Sequence, residues 1–268
     1  MSATDEAPEG VIRVRAENPS PLTLDGTNTY VVGRWVVDPG PDDPGHLERV
    51  LAAAGGELDG IVLTHGHADH AEGAESLAAR AGFDGAVTRP GEGERIGPFE
   101  AMATPGHAPE HVCLILDTHV CFTGDTVLGE GSVFVAPGEG AAGQSSLGAY
   151  LDSLRRLRAL DLTVLCPGHG PFVHDPLARL DQYLEHRLSR ERALLEALEA
   201  GARSEDELLE AAWGDVPRAL RGAAALTLAA HLEKLREERR VPAELAGVRS
   251  TSGGSARRAR AAHYPRTR

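Results

Sequence analysis

Apolar residues recur in two alternating rhythms over the first 175 positions. Short apolar runs read as strands at residues 11–16, 28–33, 34–37, 60–64, 86–89, 99–103 and 162–166, the first three of them rich in valine and bounded by Gly, Pro and Asp. Between them, residues 45–54, 71–80 and 147–160 place apolar side chains three and four apart, which is the period of an amphipathic helix. The pair Gly55-Gly56 stops the first of these helices. Residues 112–116 and 120–123 form a predicted hairpin that turns at Asp117-Thr118-His119. Alternation of this kind implies an α/β layered architecture.

After about residue 176 the rhythm changes. Helical segments are predicted at 175–199, 204–213 and 218–239, with no strand between them. Ser204, followed three positions later by Glu207, fits a capping box at the start of the second. The expected organisation is a catalytic domain over 1–175 and a small helical, winged-helix-like module over 176–246. The Gly/Ser/Arg-rich stretch 247–268 has no periodicity and is expected to be a disordered basic tail.

Composition narrows the class. A chain of 268 residues fits one large domain with an appendage, and 41% apolar with 25% charged residues is the balance of a globular protein. The first twenty residues lack a basic start followed by an apolar core, so no secretory signal is read there. No run reaches the roughly 18 apolar residues that span a bilayer. The expectation is a soluble, cytoplasmic protein without a membrane partner. Cys113, Cys121 and Cys166 are odd in number and form no CxxC pair, so they read as buried, reduced thiols. Cys166 stands three residues before a candidate ligand, which makes its exposure worth knowing. Net charge is −13, and the tail from Gly247 holds six arginines and no acid, so without them residues 1–246 carry −19. A body that acidic repels polyanions and disfavours broad nucleic-acid affinity.

The chemistry concentrates at strand ends. His65-x-His67-x-Asp69-His70 follows an apolar strand directly. Alternate residues of an extended segment project to one side, so His65 and His67 can reach one metal while Asp69 and His70 turn toward a second. Imidazole and carboxylate donors suit zinc. Three further strand ends supply ligand-capable residues just after a glycine: Thr104-Pro105-Gly106-His107, Phe122-Thr123-Gly124-Asp125 and Cys166-Pro167-Gly168-His169. Each alone is a weak signal; as an ordered set they are strong.

The order HxHxDH, TPGH, GD, PGHG resembles the metallo-β-lactamase superfamily. Asn18-Pro19-Ser20, the run Thr27–Gly33, the run Phe122–Gly129 and the helical C-terminus look most like its lactamase-beta-like protein 2 group. Animal members of that group are endoribonucleases acting on single-stranded RNA, and related sequences are thioesterases. The resemblance implies a four-layer αββα sandwich. It also implies that His65, His67 and His107 bind a first zinc, that Asp69, His70 and His169 bind a second, and that Asp125 bridges the two. Mn2+ or Fe2+ are the alternative metals. Glu72 departs from the family's usual glycine, and residues 138–143 look inserted or diverged. Glu72 is expected at a helix start, where its charge favours the N-terminus.

Two metal ions so held would lower the pKa of a water enough to supply hydroxide near neutral pH, so neither a Ser nor a Cys nucleophile is needed, and no G-x-S-x-G elbow is present. Asp69 is the candidate catalytic residue, holding the nucleophile's proton. Asn28, Asp38 and His111 are candidates for supporting the ligands or touching substrate. The leading expectation is hydrolysis of a small ester or thioester. The alternative is a zinc endoribonuclease on single-stranded RNA, and a non-catalytic nucleic-acid-binding protein is a third reading that the complete ligand set disfavours. The helical module also reads as a cap or as the surface of an oligomer.

Overall fold

The computed structural model describes residues 6–138, 140 and 143–241; the predicted basic tail lies outside the described residues. Among these, two five-stranded sheets face one another. The first runs, side by side, β1 (Val11–Arg15), β2 (Asn28–Val32), β3 (Trp35–Val37), β4 (Gly60–Val62) and β5 (Val87–Thr88). The second has β6 (Arg95–Ile96), β7 (Phe99–Ala103), β8 (Val112–Leu116), β9 (Val120–Gly124) and β10 (Val164–Pro167) in that spatial order. Neighbours are antiparallel except β3–β4, β4–β5 and β9–β10.

The two-residue period of a strand sorts side chains into layers. Tyr30, Val37 and Val62 of the first sheet meet Leu114, Leu116, Phe122 and Cys166 of the second in the central core. Their neighbours Val31, Val36 and Ile61 point outward and are covered by Leu47, Val50 and Leu77 of helices α1 (Pro44–Ala53) and α3 (Ala74–Ala81). On the other side Cys113, Cys121 and Leu165 meet Leu147, Tyr150, Leu151 and Leu154 of α4 (Ser146–Arg158). The result is the αββα sandwich that the resemblance implies, with the α/β layering that the sequence pattern predicts. All three cysteines are buried and free, and burial pushes the Cys166 thiol up, away from reactivity.

α5 (Pro176–Glu199) belongs to two cores at once. Leu180 and Tyr183 in its first half pack on the α4 layer, whereas Leu194 and Leu198 join α6 (Glu205–Trp213) and α7 (Arg221–Glu237) in a separate cluster around Trp213. Ala230 of α7 reaches back to the sandwich core. The capping box at Ser204 and Glu207 is formed. No described helix is long and apolar enough to cross a membrane.

Differences from the sequence reading are local. The helix expected at 71–80 is split into a single turn, α2 (Ala68–Ala71), and α3, because the chain turns at Gly73, whose amide donates to the Gly40 carbonyl. Glu72 therefore caps the end of α2 rather than starting a helix, and it is exposed. A three-ten turn, Arg218–Leu220, precedes α7. β6 is two residues long, too short for an alternating pattern to register.

Candidate metal centre

Strand ends meet at one edge of the sandwich. β3 and β4 run parallel, so Asp38 leaves β3 with its amide donating to the Val62 carbonyl at 3.0 Å. Thr64 and His65 follow β4, Thr104 and His107 follow β7, Asp125 follows β9 and His169 follows β10, while Asp69 and His70 lie on α2. Two glycines let these ends crowd together. A Cβ on Gly124 would stand 2.5 Å from Thr64 Oγ1, and one on Gly168 would stand 2.6 Å from His70 Cε1 and 2.7 Å from Asp125 Oδ1.

The seven candidate ligands come together in two groups. In the first, His67 Nδ1 lies 3.0 Å from both His65 Nε2 and His107 Nε2, and Asp125 Oδ2 lies 3.4 Å from His107 Nε2. In the second, His70 Nε2 and His169 Nε2 are 3.3 Å apart, with Asp69 Oδ2 at 3.6 and 3.3 Å from them. Asp125 Oδ1 stands 3.4 Å from each of these two nitrogens. The two oxygens of one carboxylate thus face different groups.

The outer nitrogens of four rings decide what the inner ones offer. Thr64 Oγ1 donates to Asp38 Oδ2 at 2.6 Å, so it accepts from His65 Nδ1 at 3.0 Å. His70 Nδ1 donates to Asp38 Oδ2 at 2.9 Å, His107 Nδ1 to the Phe134 carbonyl at 2.9 Å, and His169 Nδ1 to the Gly26 carbonyl at 3.2 Å. With each ring neutral, this network leaves the lone pair on its inward nitrogen. A proton on His67 Nδ1 could satisfy one of its two neighbours, never both. Asp125 Oδ1, buried, has no hydrogen-bond partner. Converging lone pairs and carboxylate oxygens with no matching donors fit a divalent cation in each group.

Charge balance agrees. Burial alone would depress His70 and His169, yet Asp125 with Asp38 holds the first well above the ordinary histidine range, and Asp125 with Asp69 raises the second to about 9. Positive charge is thus drawn to that spot. Burial works against ionised Asp125, and His70 and His169 outweigh it, leaving its carboxyl well below the usual range. Burial pushes His65 far down and His67 down, so both stay neutral donors.

The supporting residues act on the candidate ligands, not in the space between them. Asp38 sits at a positive φ of 49° and accepts from the Thr64 amide at 2.7 Å besides Thr64 Oγ1 and His70, so one carboxylate orients histidines of both groups. His111 Nε2 accepts the Asp125 amide at 3.0 Å while Nδ1 donates to Thr104 Oγ1 at 2.9 Å, and its ring stacks on His65. Asn28 Nδ2 donates to the Pro167 and Gly170 carbonyls at 2.9 and 2.8 Å, clamping the loop that carries His169. Thr64, Thr104, Gly26 and Phe134 escaped the sequence reading. The threonines stand beside candidate ligands, a usable signal; the two carbonyls carry none.

Comparison with known proteins agrees with this architecture. The metallo-beta-lactamase superfamily model matches residues 22–93 and 85–169, and the beta-lactamase associated winged helix domain matches 204–246. A lactamase-like protein, adaB, of Aspergillus niger is 32% identical over 90% of this chain and 84% of its own length. A beta-lactamase-like protein 2 homolog of Caenorhabditis elegans is 29% identical over 85% of this chain and 84% of its own. Among solved structures, a metallo-beta-lactamase family protein from Thermus thermophilus superposes with a TM-score of 0.66 at 25% identity, over 87% of this chain and 95% of that one. The chain belongs to the metallo-β-lactamase superfamily of metal-dependent hydrolases.

Proposed function

We propose that the protein is a two-zinc hydrolase of a small ester or thioester. The observation that carries this reading is Asp125, whose Oδ1 and Oδ2 face separate groups of nitrogen donors, the arrangement of a carboxylate shared by two cations. His65, His67 and His107 would hold one ion, and Asp69, His70 and His169 the other. Bound there, the pair would lower the pKa of a water and polarise the attacked carbonyl. Asp69 is half-buried, and burial raises its carboxyl, but the hydrogen bond with His169 and the charge of His70 outweigh burial and keep it ionised. It is therefore able to accept the proton of the attacking water. Thr27 Oγ1, 3.5 Å from Asp69 Oδ2, steadies the carboxylate.

Charge favours a small substrate over RNA. In the winged-helix module Lys234 and Arg240 pair with Glu191, Arg221 with Glu210 and Arg190 with Asp215, so these cations are already neutralised. The test is a panel of acyl-thioesters, aryl esters, a phosphodiester and single-stranded RNA on zinc-loaded protein. Asp69→Ala should lower thioester or ester turnover by about 10²–10⁴-fold, the usual worth of a positioned proton acceptor. Cleavage of RNA at physiological salt by protein lacking 247–268, with no turnover of either acyl class, would replace this reading with a nuclease.

A further inference from the structure

Arg187 is among the largest fully buried side chains of the protein. No carboxylate pairs with it among the described residues. Its guanidinium donates through Nη2 to the Val133 carbonyl and lies 5.2 Å from the centre of the Tyr150 ring. Burying a charge on such thin compensation is costly, so the site needs a reason. The next peptide supplies one. Val133 and Val135 are buried in the sandwich core, and between them the Phe134 carbonyl accepts from His107 Nδ1.

Residues 129–138 contain no helix or strand, so no ladder of backbone hydrogen bonds holds the Phe134 carbonyl in place. Side chains from the C-terminal helices do so instead. Arg179 of α5 donates to the Leu128 carbonyl at 3.1 and 2.9 Å and to the Gly131 carbonyl at 3.0 Å. Glu233 of α7 accepts the Gly138 amide at 2.9 Å. Arg187 is the tie closest to Phe134.

We infer that Arg187 is a positioning residue for the first group: it grips the Val133 carbonyl and thereby holds the adjoining Phe134 carbonyl on His107 Nδ1. The second group has no such tie, because His70 and His169 lean on Asp38 and Gly26. The C-terminal helices are thus part of the metal centre's support. This inference rests on the cation-binding reading above.

The test reads metal binding rather than turnover. Zinc is titrated into chelator-stripped full-length protein against a chromophoric competitor, and the two steps are assigned by which is lost in His107→Ala and which in His169→Ala. Arg187→Met keeps an unbranched stem and removes the donors. It should weaken the His107 step by about 10- to 100-fold, the span typical of losing an outer partner of a metal-binding histidine, and leave the other step unchanged. Arg187→Lys, which restores a charge and a donor, should recover part of the loss. Arg190→Met breaks ties to Asp215 and the Ala212 carbonyl inside the module and should move neither step. Equal weakening of both steps by Arg187→Met, or of neither, overturns the inference. If Arg187→Met fails to fold, Glu233→Ala decides: selective loss at the His107 step supports the coupling, and no loss overturns it. Wild-type protein that takes up no zinc would sink the proposed function along with it. Two intact wild-type steps with Arg187→Met unchanged would sink this inference alone.

Discussion

The two halves of the candidate metal centre are built from different materials. The group of Asp69, His70 and His169 is enclosed: both rings are buried, one is held by a buried carboxylate, and the loop carrying the other is clamped by Asn28. The group of His65, His67 and His107 is more open. His67 is exposed, and His107 leans on a carbonyl in a segment without regular structure. One half is therefore fixed by the sandwich itself, and the other borrows rigidity from the C-terminal helices. Within one shared site, outer support can differ between neighbouring ligands, and tolerance to change should differ with it.

The comparison breaks first at the residue common to both halves. Asp125→Ala removes the carboxylate facing both groups, so hydrolysis should fall by on the order of 10³-fold, comparable to losing a principal charge-stabilising group. Zinc content by atomic emission should fall in the same protein. Asp117→Ala, in the exposed β8–β9 turn, should change neither quantity. Equal losses in the two variants would place the site elsewhere.

Asp38→Asn comes next. Asparagine tolerates the positive φ, so the substitution isolates charge from backbone strain. His70 loses its anionic partner, and the Thr64 relay to His65 weakens. Zinc affinity should drop by about 10- to 100-fold at the His169 step and by less at the His107 step. A loss confined to the His107 step would reverse the roles assigned to Asp38.

Acid should distinguish the halves. His169 is raised to about 9 and His70 is raised as well, so protons compete with a cation in the second group; His65 is lowered well below the ordinary histidine range and His67 is lowered, so both compete less. As pH falls from 9 toward 6, the His169 step should weaken by about tenfold per unit for each proton displaced, while the His107 step stays nearly level. Calorimetric titration in buffers of different protonation enthalpy would count the protons released. Equal pH slopes for both steps would contradict the asymmetry.

The smallest effect is expected at Asn28→Ala, which leaves the Gly170 carbonyl without its donor, while the Pro167 carbonyl keeps the Tyr30 hydroxyl. Unfolding in urea should show a loss of about 1–3 kcal/mol, the cost of stranding a buried acceptor. An unchanged midpoint would mean water takes over the amide's role.

Much of this protein was legible without coordinates because its signals are local. Period-two valine runs and helical leucine spacing set out the layers, since burial on one face imposes the period. The seven candidate ligands announced themselves because each sits in a short motif at a strand end. Glu72 misled for the same reason: one residue's context could not show that α2 ends where it stands. Distances between elements were another matter. Sequence order says nothing of which Asp125 oxygen faces which histidine, because that depends on β9 and β10 lying parallel with Gly124 and Gly168 at the contact. Asp38 reads from sequence as a candidate supporting residue, but which histidines it orients appears only once β3 and β4 are paired. Phe134 and Val133 act through their carbonyls, which every residue possesses, so no choice of side chain marks them. The sequence by itself determined the candidate donors and the layers; tertiary structure decided how the donors are aimed, because much of that aim comes from strand pairing and backbone carbonyls, which residue type does not mark.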